Sequence, residues 1–521
     1  MSMQLPEFRN EPPRDFKGNP EHTTRMEEAL EEVGQELAQE YDLVINGERF
    51  KTQDKFCSYN PGQKDQAVGV ISKANAGLAE RAIRAADEAF KTWSHTAAER
   101  RAELALKTAR IIRERKFHYA AWMCYEVGKT WPEADADVAE AIDFGEFYAR
   151  EILRLGQPQP LTSISGERNY LRYLPLGVGV VIPPWNFPLA ILTGMTLASV
   201  VAGNTVVLKP SSDSPVIGYK LFEALEEAGM PPGVVNYLPG PGGSVGDVLV
   251  GHPRTRFVAF TGSKEVGLQV NGVAAKTGPG QIWVKRVIAE MGGKNAIVVD
   301  SEADLDAAVE GVTASAFGYQ GQKCSACSRA IVVESVYETF LEKLQRRVEQ
   351  IKVGPATRPD NYMGPVINAR AKQSILEYIE IGKKEGRLIV GGGEAPGPGY
   401  FIQPTVIADV APQARIAQEE IFGPVLAVIK ARNFDEALEI ANNTEYGLTG
   451  AVYTKSRQKM GKAAEDFFVG NLYFNRKCTG ALVGGHPFGG FNMSGTDSKA
   501  GGRDYLLLFT QAKVVSEKMA V

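Results

Sequence analysis

Residues 178–238 read VGVVIPPWNFPLAILTGMTLASVVAGNTVVLKPSSDSPVIGYKLFEALEEAGMPPGVVNYL. Short β-branched runs at Gly179–Ile182, Thr205–Leu208 and Val234–Leu238 alternate with segments of helical pattern. One of these, Val216–Ala228, stops at Gly229 with Pro231 just beyond, the usual end of a helix. Strands alternating with helices at intervals of about 20–30 residues imply right-handed crossovers and a parallel, doubly wound sheet. The same stretch raises a membrane question, because Tyr173–Leu208 runs 36 residues without a charge, and about 20 apolar residues suffice to span a bilayer. Pro183, Pro184, Pro188, Gly177, Gly179, Gly194 and Gly203 interrupt it. Buried strand, Pro-rich turn, buried helix and buried strand is the better reading, with no membrane partner.

The rhythm continues outward. Further strands are expected at Arg256–Phe260 and Ala296–Val299, then Ser328–Glu334, Val425–Ile429 and Gly450–Tyr453, which make a second α/β unit. Ser335 with Glu338 has the pattern of a capping box, opening a helix with Phe340, Leu341, Leu344, Val348 and Ile351 on one face. A Gly/Pro-rich loop follows at Gly391–Gly399. Upstream, Leu78–Ala149 is helical in pattern, as in Glu99–Lys116. Residues 1–44 form a charged lead-in whose amphipathic stretch, Met26–Tyr41, belongs on the surface. Ser165–Leu174 and Leu506–Ser516 alternate like strands outside both units, which predicts an arm that pairs across subunits, since an open edge invites a partner.

The chain has 521 residues, 58 Lys+Arg against 62 Asp+Glu, and 44% hydrophobic residues. That usage excludes wholesale disorder, and the absence of a basic run leaves no footprint for nucleic acid. Five cysteines in so long a chain read as reduced thiols. No secretory signal is visible at the start, and the expected location is the cytoplasm.

Candidate chemistry is sparse when each motif is taken alone. Gly240-Pro-Gly-Gly-Ser-Val-Gly246 has a dinucleotide fingerprint's first two glycines with the third one residue late. Phe257–Ser263 ends a strand in Thr-Gly-Ser before a helix, which would turn backbone N–H groups toward a phosphate. Cys324 and Cys327 have no second cysteine pair and the five histidines no ligand spacing, so no metal site is expected. What remains is a single cysteine in the loop Gly318-Tyr-Gln-Gly-Gln-Lys-Cys324, either a reactive nucleophile or a buried structural thiol.

From about Val44 almost to the C-terminus, however, the chain resembles the NAD(P)-dependent aldehyde dehydrogenases. Seven motifs agree in identity and order: Pro184-Trp-Asn-Phe-Pro188, Leu208-Lys-Pro210, Phe260-Thr-Gly-Ser263, Glu290-Met-Gly-Gly-Lys294, Gly321-Gln-Lys-Cys324, Glu420-Ile-Phe-Gly-Pro424 and Pro487-Phe-Gly-Gly490. The resemblance implies two doubly wound α/β domains plus a small β oligomerisation arm. Residues 45–158 and 178–288 would form the dinucleotide-binding domain, 289–497 the catalytic domain, and 159–177 with 498–521 the arm.

It also implies roles. Cys324 would attack the aldehyde as thiolate, Asn186 and the Cys324 N–H would hold the oxyanion, and Glu290 would activate the hydrolytic water. A free thiol has a pKa of about 8.5, so the site must favour the thiolate, for which a bound cationic nicotinamide is a candidate. For the cofactor, Lys209 would meet the adenosine ribose, Ser263 beside Gly262 the pyrophosphate, and Glu420 the nicotinamide ribose. Phe422 would pack near the nicotinamide, with Ile182, Pro184 and Trp185 on the pocket wall. Many NAD-preferring members carry Glu three residues after the lysine. Ser212 here removes that repulsion of a 2′-phosphate, so NAD is expected with NADP tolerated.

Within the family the chain is most similar to the branch that oxidises L-glutamate γ-semialdehyde, on the residues Cys324-Ser-Ala-Cys-Ser328 and Thr479-Gly-Ala-Leu-Val-Gly484. That likeness implies that Gly480 and Ala481 N–H groups, with Ser325, hold a substrate α-carboxylate. Phe187 and Phe488 would flank the aliphatic chain and Glu140 would meet the ammonium. A small amino-acid aldehyde is the expected partner, and a homo-oligomer, dimer or dimer-based, the expected assembly. Another semialdehyde is the alternative substrate.

Overall fold

The computed structural model describes residues 5–519. The strands of the opening stretch form where their β-branched runs lie, at Val178–Ile182, Thr205–Leu208 and Val235–Tyr237. They sit in a seven-stranded sheet ordered Arg286–Glu290, Thr255–Thr261, Val178–Ile182, Thr205–Leu208, Val235–Tyr237, Leu43–Ile45, Glu48–Phe50. All pairs are parallel except the last two, where the hairpin Leu43–Phe50 closes the edge antiparallel. The helix between the first two strands, Ala190–Val201, is buried on nearly every side, which explains its lack of charge. No helix among the described residues is long and apolar enough to cross a membrane.

A second seven-stranded sheet runs Arg387–Val390, Thr405–Ala408, Val425–Ala431, Cys327–Val333, Asn295–Val299, Thr449–Tyr453, Asn471–Phe474, parallel but for its first strand. Only Met291–Lys294 separates the edge strand Arg286–Glu290 of one sheet from the strand Asn295–Val299 of the other. That short junction draws the ends of both sheets together.

Two local expectations need correction. The capping box does not form: a turn at Glu334–Val336 precedes a helix that begins at Tyr337, and no side chain caps it. Buried Tyr337 sets the geometry instead, its hydroxyl donating to the Asp409 carboxylate at 3.0 Å and accepting the Asp409 N–H at 2.9 Å. The C-terminal strand starts later than its alternation suggested, at Thr510, because Tyr505–Phe509 is a 3₁₀ turn with Tyr505, Leu506 and Phe509 buried. The two arm segments, Glu167–Pro175 and Thr510–Lys518, pair antiparallel with each other along their whole length, and the outer edge of each strand stays open. The amphipathic stretch near the N-terminus is the helix Pro20–Glu36, which lays Met26, Ala29, Leu30 and Val33 on the body.

Candidate active site

Cys324 lies just before the strand Cys327–Val333, in the middle of the second sheet. The turn leading to it is strained: Tyr319 and Gln320 take φ of 48° and 56°, which costs a non-glycine residue of order 1–3 kcal/mol. Gln320 offsets this with three buried hydrogen bonds, donating to the carbonyls of Gly128 (3.2 Å) and Pro365 (2.8 Å) and accepting from the Gly364 N–H (2.9 Å). Asn295, at the start of the neighbouring strand, donates to the carbonyls of Cys324 (2.7 Å) and Ala326 (2.9 Å) and accepts from the Thr449 N–H (3.0 Å). The nucleophile's backbone is therefore held from two sides. Its own N–H has no acceptor among the described residues.

Asn186 donates its side-chain amide to the carbonyl of Gln322 at 3.0 Å, two residues along the chain from Cys324. With the idle Cys324 N–H this makes a pair of donors next to the sulfur, the composition of an oxyanion hole. Burial and the carboxylates of Glu420 and Glu290 push the Cys324 thiol up to about 12. The chain by itself thus holds a thiol, not a thiolate.

Glu290 ends the edge strand Arg286–Glu290 and is buried. Its carboxylate accepts from the Ser498 hydroxyl (2.7 Å), the Ser498 N–H (3.0 Å) and the Gly490 N–H (3.1 Å). Burial outweighs those bonds and pushes the carboxyl up to about 7, where a general base works best at neutral pH.

A cavity of about 790 Å³ opens beside Cys324. Ile182, Pro184 and Trp185 follow one parallel strand into it, Lys209 and Ser212 the next, and Gly262 and Ser263 a third. The carboxyl ends of parallel strands are where open α/β sheets bind ligands. Ser263 caps the helix Lys264–Ala274, its hydroxyl accepting from the Val266 N–H at 3.3 Å. Lys209, 5% exposed, has no partner among the described residues, and burial draws its ammonium down to about 8. Glu420 and Phe422 reach the same cavity from the second unit. Glu420 accepts the Gly293 N–H at 2.9 Å and burial pushes it up to about 7. A side chain on Gly292 would displace that carboxylate. Trp185 meets Phe422 edge to face, ring centroids 5.6 Å apart. The buried unpaired cation, the helix start at Ser263 and the acid at the far wall fit a dinucleotide.

A smaller chamber of about 100 Å³ lies on the other side of Cys324, which lines both spaces. Glu140, Phe187, Ser325, Gly480, Ala481, Phe488 and Glu290 face it. Gly480 takes φ +74°, and Arg476 occupies the carbonyls of Thr479 (3.2 Å) and Gly480 (3.0 Å). The N–H groups of Gly480 and Ala481 have no acceptor among the described residues, leaving two donors for an anion.

Glu140 stands on the helix Trp131–Leu155 among other acids, each of which is already engaged. Glu133 pairs with Lys323, Asp135 with Lys116 and Asp137 with Lys129. Asp143 accepts the Asn10 side-chain amide and the Glu11 N–H. Glu140 alone has no partner among the described residues, and burial together with neighbouring Asp137 pushes it up to about 8. A carboxyl so placed fits an incoming ammonium.

Sequence reasoning did not single out Asn295, Gln320 or Ser498, which hold Cys324 and Glu290. Ser498 lies 208 residues from Glu290, and no local signal joins them. Asn295 carried a faint one, an amide at the head of a buried β-run. Asp213, beside Ser212 in the cofactor cavity, was also missed; its carboxylate accepts from the Asn368 side-chain amide at 3.1 Å.

The profile of the aldehyde dehydrogenase family matches residues 49–515. The chain is 59% identical over 510 residues to a 1-pyrroline-5-carboxylate dehydrogenase of Geobacillus kaustophilus, covering 98% of this chain and 99% of that one. A solved 1-pyrroline-5-carboxylate dehydrogenase from Thermus with bound NAD superposes with a TM-score of 0.98 at 52% identity, covering 99% and 100% of the two chains. A betaine aldehyde dehydrogenase from Staphylococcus aureus, in complex with NAD+, superposes with a TM-score of 0.88 at 31% identity, covering 95% and 97%.

Proposed function

Because the chain belongs to the aldehyde dehydrogenase family, we propose that it oxidises L-glutamate γ-semialdehyde, the open form of 1-pyrroline-5-carboxylate, to L-glutamate with NAD, in proline degradation. The observation that carries the substrate is the chamber at Cys324, which offers two idle main-chain donors and one unpaired carboxyl. These complement the carboxylate and ammonium of an amino acid, and an alkyl aldehyde would use neither.

In this reading Cys324 releases its proton to solvent and its sulfur bonds the aldehyde carbon. The resulting alkoxide meets the Asn186 amide and the Cys324 N–H, of which one such donor is worth about 3–4 kcal/mol. Lys209, Ser263 and Glu420 would hold NAD, with Trp185 and Phe422 on the same cavity wall, and the bound cofactor would supply the acceptor for the hydride that leaves that carbon. Cys324 then carries a thioester. Glu290 takes a proton from water as the water attacks, and the acid leaves with the thiol restored. Gly480, Ala481 and Ser325 bind the α-carboxylate, Glu140 the ammonium, and Phe187 and Phe488 enclose the methylenes.

Finer points belong to the same proposal. NADP is tolerated, because Ser212 is exposed where a carboxylate would repel a 2′-phosphate. The protein is a dimer-based homo-oligomer: the arm of 159–177 and 498–521 leaves one edge of each strand open and exposes Leu161, Ile164 and Val514. Residues 45–158 and 178–288 serve as the dinucleotide-binding domain and 289–497 as the catalytic domain, after a lead-in of 1–44, in a cytoplasmic enzyme with reduced cysteines.

The test is NADH formation from 1-pyrroline-5-carboxylate, beside succinate semialdehyde and an alkyl aldehyde, for wild type and Cys324→Ala. A strong preference for the first, abolished by the substitution, is expected. Equal rates with the others would remove the substrate while keeping the thioester chemistry, and no turnover with saturating NADP would remove its tolerance.

A further inference from the structure

The first turn of the helix Ala98–Glu114 and the root of the arm enclose a cavity of about 520 Å³ that shares no lining residue with the active site. Arg101 stands in its wall, 9% exposed, and its guanidinium makes no hydrogen bond or ion pair with any described residue. Leaving such a donor buried and unpaired costs of order 1–3 kcal/mol, and more for a charged group. Of the other buried arginines and lysines among the described residues, Lys116, Lys129, Lys285, Lys323 and Arg329 have partners; Lys209 and Lys294 do not, and Lys209 faces a ligand cavity. The Arg101 guanidinium lies against Gly203, where any side chain would displace it. Burial draws it down to about 10, the mark of a charge without a counter-ion.

The surroundings repeat that sign. Arg172 and His95 also line the cavity, with Ser94, Thr96 and Gln157, and no Asp or Glu does. The one acid felt by Arg101 is Glu99, which does not bond it and is not in the wall. The helix itself begins at the cavity. Its cap residue, Ala97, has no side-chain acceptor, and the N–H groups of Ala98, Glu99 and Arg100 have none among the described residues. Serine, threonine or aspartate ordinarily closes such a start. An alanine leaves the donors and the positive end of the helix dipole turned to the cavity.

We infer that this cavity binds a phosphate-type oxyanion, gripped by the Arg101 guanidinium and the open first turn of the helix Ala98–Glu114, with Arg172 and His95 at its rim. The volume holds inorganic phosphate with room for a small organic group, so the ligand is phosphate itself or the phosphoryl end of a small metabolite. An anion there ties the helix to Leu174, Pro175 and Gln511 at the arm's root, and stabilises the folded chain by an amount that grows with the logarithm of its concentration above Kd.

The test uses the full chain in chloride buffer with saturating NAD, which keeps added anion out of the cofactor cavity. Inorganic phosphate and glycerol 3-phosphate are titrated by calorimetry and by thermal melting at constant ionic strength. Saturable binding and a rising Tm that chloride does not reproduce are expected. Tighter binding of the ester would identify a metabolite, and equal binding the inorganic ion. Ala97→Asp caps the helix with its own carboxylate, so it should melt no lower than wild type without phosphate and keep its aldehyde oxidation. Its phosphate affinity should fall at least about tenfold, the worth of charged hydrogen bonds lost; Arg101→Met should fall as far. No saturable binding, or equal binding in wild type and Ala97→Asp, would overturn the site.

Discussion

Glu290 and Cys324 sit at opposite ends of one acid–base problem. Glu290 is pushed up to about 7 by burial, and it acts as a base only when deprotonated. Thioester hydrolysis should therefore rise as pH increases through about 7 and level off above it. Glu290→Gln should remove that rise and leave a rapid burst of NADH followed by a stall, read by stopped-flow absorbance. The same shift acts on stability with the opposite sign. The folded chain keeps a proton that the unfolded chain releases from its ordinary 4.5, so this group's contribution fades as pH climbs between 4.5 and 7. Cys324, pushed up to about 12 by burial and by Glu420 and Glu290, should react slowly with iodoacetamide in the free protein. It should react faster once NAD brings a positive ring to it. Both residues were legible from their motifs. Asn295 and Ser498 were not, because a side chain that holds another from across the molecule leaves no mark beside it in the sequence.

The helix Trp131–Leu155 shows how an element acquires its function from its neighbours. Its acids look like a solvated face when read along the chain, yet Asp135 and Asp137 are buried and paired. Asp137 also accepts the Ala190 N–H at 2.6 Å, joining this helix to the start of the apolar one that follows Pro188. Asp137→Ala would strand Lys129 in the interior, and a loss of about 3–5 kcal/mol in chemical denaturation is expected. Glu140→Gln removes a carboxyl with no internal partner, so stability should hold. KM for 1-pyrroline-5-carboxylate should rise about tenfold or more, as for a lost charged hydrogen bond, while succinate semialdehyde, lacking the ammonium, should be unaffected. Periodicity and punctuation located this helix and most strands, because apolar spacing and Gly/Pro signals are local. They failed at Ser335 and at Leu506, where buried aromatic rings, Tyr337 and Tyr505, overrode the local pattern.

Across the whole molecule the two sheets meet at Met291–Lys294, and the cofactor cavity takes residues from both, Lys209 from one and Glu420 from the other. NAD should therefore stabilise the chain as a unit. At a hundredfold excess over Kd the gain is about 2.7 kcal/mol, seen as a shift of the denaturation midpoint, and Lys209→Met should shrink it. The sequence by itself determined the parallel α/β class, the two units and the nucleophile loop with its motif partners, since strand–helix alternation and short motifs are written within a few tens of residues. Tertiary structure alone decided which of the acids on one helix stays unpaired, that the arm's strands join each other, and that Ala97 leaves a helix open beside Arg101. Those outcomes turn on which charge or hydrogen-bonding group another part of the chain presents, and pairing over hundreds of residues is settled only when the fold brings the partners together.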